Sequence, residues 1–255
     1  MLLVLALSVF VGLAVGLLGG GGSILTVPIL VYVAHLEAKQ AIATSLLVVG
    51  VTSLVAMVSH ARAGRVRFRT GVLFGAAGMA GAFLGGHVGA RLPAGLLLLA
   101  FAGVMIAASV AMIRGRRDTG AAAATELPVP KVLRDGFAVG LLTGTVGAGG
   151  GFLVVPALAL LGGLPMAAAV GTSVLVIAMN SFAGLVGYLG HVPIAWDLAA
   201  SVTGAAVAGS FLGSALAGRV PQEGLRKGFG VFVLVMAVFI LFKQWPTLLA
   251  FLHSA

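Results

Sequence analysis

Two glycine runs, each followed by a short apolar segment with one proline, offer the most distinctive chemistry in this sequence. The first occupies residues 19–22 and precedes Ser23, and the second comprises Gly147 and residues 149–151. A glycine run unwinds a helix, so backbone N–H groups and the positive end of the next helix can bind an anion. In lipid, such open backbone is tolerated only inside protein or beside a water-filled cavity. We therefore predict an anion site whose glycine-run residues are Gly20, Gly21, Gly22, Ser23, Gly149, Gly150 and Gly151. Close helix packing through glycine is the alternative.

Polar side chains follow each glycine run in the next apolar segment. Thr44-Ser45 and Thr172-Ser173 open these segments, and Thr52-Ser53 and Asn180-Ser181 come two turns later. Residues seven apart share a helix face, where hydroxyls and an amide can donate to anionic oxygens without carrying charge. Hydrogen bonding between helices explains the same pattern equally well. The residues predicted to bind the anion are Thr44, Ser45, Thr172, Ser173 and Asn180.

The ionisable residues favour an anionic ligand over a cation. All six acidic residues lie in loops or at segment ends: Glu37, Asp118, Glu126, Asp135, Asp197 and Glu223. Cation and proton carriers usually place a carboxylate inside the membrane. His87 lies within an apolar segment and is a candidate proton relay, with an interfacial position as the alternative. Without cysteine, and without a spaced ligand set or a nucleophile beside a base, we predict no metal, no cofactor and no enzyme.

The elements that position these residues form two copies of one pattern at an offset of 128 residues. Pro28 matches Pro156, and Gly81 matches Gly209. A local match of residues 15–18 with 139–142, at an offset of 124, predicts a four-residue insertion in the second copy. Each copy contains about four hydrophobic segments, and the first segment is broken by glycine. We divide the chain into a first transmembrane repeat (1–113), a polar linker loop (114–135) and a second transmembrane repeat (136–255).

Composition predicts an all-α polytopic membrane protein, since the chain is 60% hydrophobic and only 8% charged. Its net charge of +9 is concentrated in short loops, which the positive-inside rule explains without nucleic acid. If each broken segment crosses once, the repeats are parallel and there are eight crossings. If each is a re-entrant hairpin, the repeats are inverted and there are six crossings. The distribution of basic loops favours the inverted arrangement.

The ordered set GGGGS, Pro28, ATS and FLGG, repeated as AGGG, Pro156, GTS and FLGS, resembles the TauE/SafE family of sulfite exporters and related permeases. The resemblance covers residues 8–242. It implies a secondary transporter of small sulfur-containing anions, such as sulfite or sulfonates, in the cytoplasmic (inner) membrane. The expected mechanism is alternating access around the two facing glycine breaks.

The partners expected for such a transporter are the anionic substrate, a proton or another coupling ion, the lipid bilayer and a second copy in a homodimer. A non-transporting scaffold or accessory subunit, or a passive anion channel, is the alternative to a carrier.

Overall fold

The computed structural model describes residues 1–114, 129–146, 151–161, 164–216 and 222–244. Within these ranges all regular secondary structure is helical, which confirms the predicted all-α class. The predicted site residues Gly149 and Gly150, together with most of the predicted linker, lie outside the described residues.

The described helices follow the apolar segments of the sequence closely. The first half contains α1 (Leu2–Leu18), a 3-10 turn (Gly21–Leu25), α2 (Thr26–Pro28), a π-helical turn (Ile29–Val33), α3 (Ala38–Arg62), α4 (Phe68–Arg91) and α5 (Ala94–Arg114). The second half contains α6 (Val129–Val146), α7 (Gly151–Pro156), a π-helical turn (Ala157–Leu161), α8 (Met166–Tyr188), α9 (Trp196–Leu216) and α10 (Gln222–Lys243). Among them, α3, α4, α8 and α9 are long and apolar enough to cross a bilayer core of about 30 Å. The multi-pass membrane class follows from these spans.

Glycine ends α1 and turns the chain back. Gly19 and Gly20 have φ of 65° and 101°, a left-handed conformation that glycine adopts without steric cost. The N–H groups of both donate to the Val15 carbonyl, at 2.9 and 3.3 Å, which terminates the helix. Residues 21–33, here called the first short arm, then run back along α1. A Cβ added to Gly22 would lie 2.8 Å from the Val15 backbone nitrogen and 2.8 Å from the Ala14 Cβ, so the two segments are in backbone contact.

Helices α3 and α8 pack against each other in opposite directions at the centre of the molecule. Gly50 faces the Phe182 ring at the middle of this contact. At its two ends, the Arg67 N–H donates to Thr172 Oγ1 at 2.9 Å and the Ala195 N–H donates to Thr44 Oγ1 at 3.4 Å. Each bond becomes the other when both of its residues are shifted by 128 positions. The contact between the halves is therefore reciprocal, as at an isologous interface.

Glycine also brings the outer helices into backbone contact, α1 with α9 and α6 with α4. A Cβ on Gly12 would lie 2.8 Å from the Ala206 Cα, and one on Gly140 would lie 2.7 Å from the Gly78 Cα. These pairs correspond at an offset of 128, not 124. The packing therefore shows no sign of the predicted four-residue insertion. Small residues recur about once per helical turn in both copies, so two sequences can be aligned four residues out of register and still match well.

Glycines four residues apart pack α4 closely against α6. On α4, a Cβ added to Gly81 or Gly85 would lie 2.7 Å from the backbone nitrogen of Leu141 or Thr145 in α6. Helix α4 also packs along α8 in the same direction, with Gly71 beside Leu175 and Gly86 beside Gly184. The close approach of these backbones positions the polar residues of α8 against α4.

Candidate functional site

The two short arms meet at the contact between the halves. The 3-10 turn Gly21–Leu25 contacts α7, the beginning of the second short arm (residues 151–161). Ser23 is fully buried there, and its hydroxyl donates to the Gly20 carbonyl at 2.7 Å. Gly19 is held against α8, since a Cβ on it would lie 2.6 Å from the Val170 side chain. In the first copy, glycine thus serves both the helix break and close packing.

Ser173 of the second Thr-Ser pair lies beside the first glycine break and holds it. Ser173 Oγ donates to the Gly19 carbonyl, with a separation of 2.5 Å, and also lies 2.7 Å from the Val170 carbonyl. Thr172 and Thr44 accept the reciprocal backbone bonds described above. Ser45 Oγ donates to the Ile42 carbonyl of its own helix at 2.7 Å. These contacts fix the helix starts relative to the opposite half.

Asn180 occupies the middle of α8 with its amide buried and without a hydrogen-bond partner among the described residues. It packs against α4, where a Cβ on Gly78 would lie 2.5 Å from Asn180 Oδ1 and 2.8 Å from Nδ2. Thr52, Ser53 and Ser181 are buried and unpartnered in the same way. The sequence indicated a polar face here, but only the structure shows that these groups lack partners.

His87 lies in the last turns of α4 and is half-buried. Its ring is edge-on to the ring of His191, with centroids 5.1 Å apart, and is stacked on Phe83 at 6.5 Å. This pair of histidines joins the ends of α4 and α8.

His60 lies near the end of α3, and its side chain is buried at 2% exposure. Its Nε2 lies 3.0 Å from the Gly16 carbonyl, which can only accept, so Nε2 carries the proton. His60 thereby ties α3 to the last turn of α1, immediately before the glycine break. The equivalent position in the second half is Tyr188, whose hydroxyl donates to the Thr145 carbonyl at 2.8 Å.

The threonine, serine and asparagine residues of the candidate site are uncharged. Its described members supply hydroxyls, a carboxamide and backbone groups, and the described residues contain no cluster of three or more His, Cys, Asp or Glu side chains that could hold a metal ion. Neutral donors of this kind can bind an anion by hydrogen bonds without a counter-charge.

Comparison with known proteins identifies the family. The family model described as "Sulfite exporter TauE/SafE" matches residues 4–240. A protein of Xylella fastidiosa (strain Temecula1) named "Probable membrane transporter protein" is 35% identical over 247 residues, covering 94% of each chain. The "Probable membrane transporter protein YdhB" of Bacillus subtilis is 24% identical over 247 residues, covering 94% of this chain and 100% of YdhB. No solved structure matches the chain.

A family match over nearly the whole chain and a relative of matching length agree with the helices long enough to span a membrane. The chain belongs to the sulfite exporter TauE/SafE family of membrane transporters.

Proposed function

We propose that the protein is a secondary transporter that carries a small sulfur-containing anion, such as sulfite or a sulfonate, across the cytoplasmic membrane. The observation that carries the proposal is the uncharged polar zone where the two halves meet, formed by the facing short arms and by α3 and α8. Binding sites at the interface between two related halves are typical of secondary transporters. The family description supplies the substrate class.

The helix directions support inverted repeats with six crossings. Helices α4 and α8 run parallel, and the His87–His191 contact joins their ends. In the six-crossing arrangement they are the second and fourth crossings and share a direction. In the eight-crossing arrangement they would be the third and sixth and would run in opposite directions. The antiparallel packing of α3 with α8 supports the same choice.

In this arrangement each glycine break is the turn of a re-entrant hairpin. The first short arm runs back along α1, with Gly22 beside Ala14 and with Thr26 and Ile29 near Ser8. At about 1.5 Å per residue, its 13 helical positions reach roughly 20 Å, less than the bilayer core. Two such hairpins would enter the protein from opposite faces of the membrane.

The reciprocal contact between the halves supports alternating access. The Arg67–Thr172 and Ala195–Thr44 bonds occupy equivalent places in the two halves. A conformation in which the first bond is short and the second long therefore has a counterpart in which the two lengths are exchanged. Two such states would open the central site to opposite faces of the membrane. The net charge of +9 attracts anions to the protein surface.

Flux into proteoliposomes tests the proposal. Purified protein is reconstituted and the uptake of sulfite, sulfate, methanesulfonate and chloride is compared, with and without a pH gradient. We expect saturable flux of sulfite or the sulfonate, with counter-exchange that distinguishes a carrier from a channel. Flux that rises linearly with concentration and shows no counter-exchange would contradict a carrier. No flux of any of these anions by folded protein would contradict the proposed substrate class.

A further inference from the structure

Four polar side chains at the centre of the molecule have no hydrogen-bond partner within the described residues: Thr52, Ser53, Asn180 and Ser181. Each is at most 1% exposed. A buried polar group without a partner destabilises the fold, and water is scarce at this depth in a membrane. Such intramembrane polar groups are expected to be functional rather than structural.

Other buried hydroxyls in the described part of the chain do have hydrogen-bond partners. Ser8, Thr143 and Ser210 donate to carbonyls of their own helices, at 2.7, 3.0 and 2.9 Å. The same kind of bond is open in principle to any helical serine or threonine. Among the described residues, the central groups leave their donors unused, as Thr26 and Ser214 also do.

Their position is also special. Thr52 and Asn180 are equivalent at the offset of 128, as are Ser53 and Ser181. Because α3 and α8 are antiparallel and Gly50 faces Phe182, Thr52 lies level with Asn180 at the middle of the contact. Both halves thus contribute unpartnered donors at the point where their central helices cross.

We infer that Thr52, Ser53, Asn180 and Ser181 form the binding site of a small oxyanion, at the crossing of α3 and α8. The site deepens the proposed transport function and rests on it for the substrate class. Three hydroxyls and one amide group supply up to five N–H and O–H donors. The described helices place no acidic residue near the middle of α3 or α8, since Glu37 and Asp197 lie at helix ends. Neutral donors bind an anion but leave it without a fixed counter-ion, which permits release to either side.

Isosteric substitutions test the site by separating ligand binding from stability. Thr52→Val and Asn180→Leu remove the polar groups with little change in volume, and Ser181→Ala removes one hydroxyl. Ser210→Ala is the matched control, because Ser210 is equally buried but bonds to its own helix. Sulfite binding to detergent-solubilised protein is measured by calorimetry in sodium-free choline buffer, and Tm is measured on the same samples.

We expect each central substitution to weaken sulfite binding by about 10- to 100-fold, as for the loss of one hydrogen bond to a charged group. The Tm should stay the same or rise, since no hydrogen bond within the protein is lost. Ser210→Ala should leave the affinity unchanged. A lower Tm together with unchanged affinity would show a structural role and overturn the inference.

Two further outcomes separate this site from the transport proposal. Wild-type flux of sulfite with unchanged binding in all three central variants would overturn the site while leaving transport intact. Sulfite binding that the variants lose, without flux in the wild type, would support the site and contradict transport. A third outcome would overturn the oxyanion site. If sulfite binds only when sodium is added, and the variants change only the sodium concentration that is needed, these oxygens are ligands of a cation.

Discussion

Substituting alanine for Gly187 should loosen the contact between α4 and α8, whereas the same change at Gly184 should not. Both glycines are buried in α8 and face α4, one turn apart. A Cβ on Gly187 would lie 2.5 Å from the Phe83 carbonyl oxygen and 2.8 Å from the His87 backbone nitrogen. Real Cβ atoms essentially never approach another heavy atom this way within 3.0 Å. The neighbouring atoms are backbone, so the helices themselves must separate. A Cβ on Gly184 would meet the Ala82 carbonyl oxygen at 3.5 Å, an ordinary contact.

The magnitude follows from two opposing effects. Overpacking a well-fitted contact costs about 1–3 kcal/mol. Replacing glycine by alanine inside a helix stabilises it by about 0.8–1.0 kcal/mol. Gly184→Ala receives only the second effect, while Gly187→Ala receives both. We expect the two variants to differ in unfolding free energy by about 2 kcal/mol, or roughly 4–8 °C in Tm for a chain of this size.

The assay is thermal unfolding of purified protein in one detergent, followed by fluorescence-detected gel filtration. Gly184→Ala should unfold at or above the wild-type temperature and Gly187→Ala clearly below it. Equal Tm values for the two variants would refute the reasoning, because they would mean that α4 and α8 do not approach as closely as the structure shows.

Two further predictions concern the glycine break and the topology. Gly19→Ala and Gly64→Ala both place alanine at a positive φ, 65° and 68°, and each should lose about 1 kcal/mol or more of stability. A Cβ on Gly19 would also meet Val170, whereas one on Gly64 would have nothing within 4 Å, so Gly19→Ala should lose distinctly more stability and should reduce anion flux. Thermal unfolding measures the stability and proteoliposome uptake measures the flux. Equal losses of stability in the two variants would contradict the packing of Gly19 against Val170. The chain has no cysteine, so single substitutions can be labelled without background. Glu37→Cys and His191→Cys should both react with an impermeant maleimide added outside cells, whereas labelling of position 37 alone would contradict six crossings.

Much of the fold class could be predicted from composition and local pattern. An apolar stretch of about 20 residues predicts a spanning helix whatever its neighbours are. The break after α1 could also be predicted, since helices commonly end at a glycine with positive φ, as Gly19 and Gly20 have here. Gly81 and Gly85 both contact α6 because residues four apart share a helix face, a relation that spacing along the chain already fixes.

The role of the Thr-Ser pairs could not be read from the sequence. A serine hydroxyl has the same chemistry whether it binds an anion or a backbone carbonyl. Ser173 reaches the Gly19 carbonyl only because α8 begins beside the break of the opposite half. The Ser173 hydroxyl therefore already has a partner within the protein.

The sequence by itself determined the membrane class, the position of the helix break at Gly19 and Gly20 and the pairing of polar residues at an offset of 128, because these depend on composition and on spacing along the chain. The tertiary structure decided the antiparallel contact of α3 and α8, the offset between α1 and α6, and which hydroxyls remain unpartnered. The physical reason is that a hydrogen bond requires an acceptor within about 3 Å. Which backbone carbonyl lies that close to Ser173, and that none does so for Thr52 among the described residues, depends on how helices distant in sequence pack together.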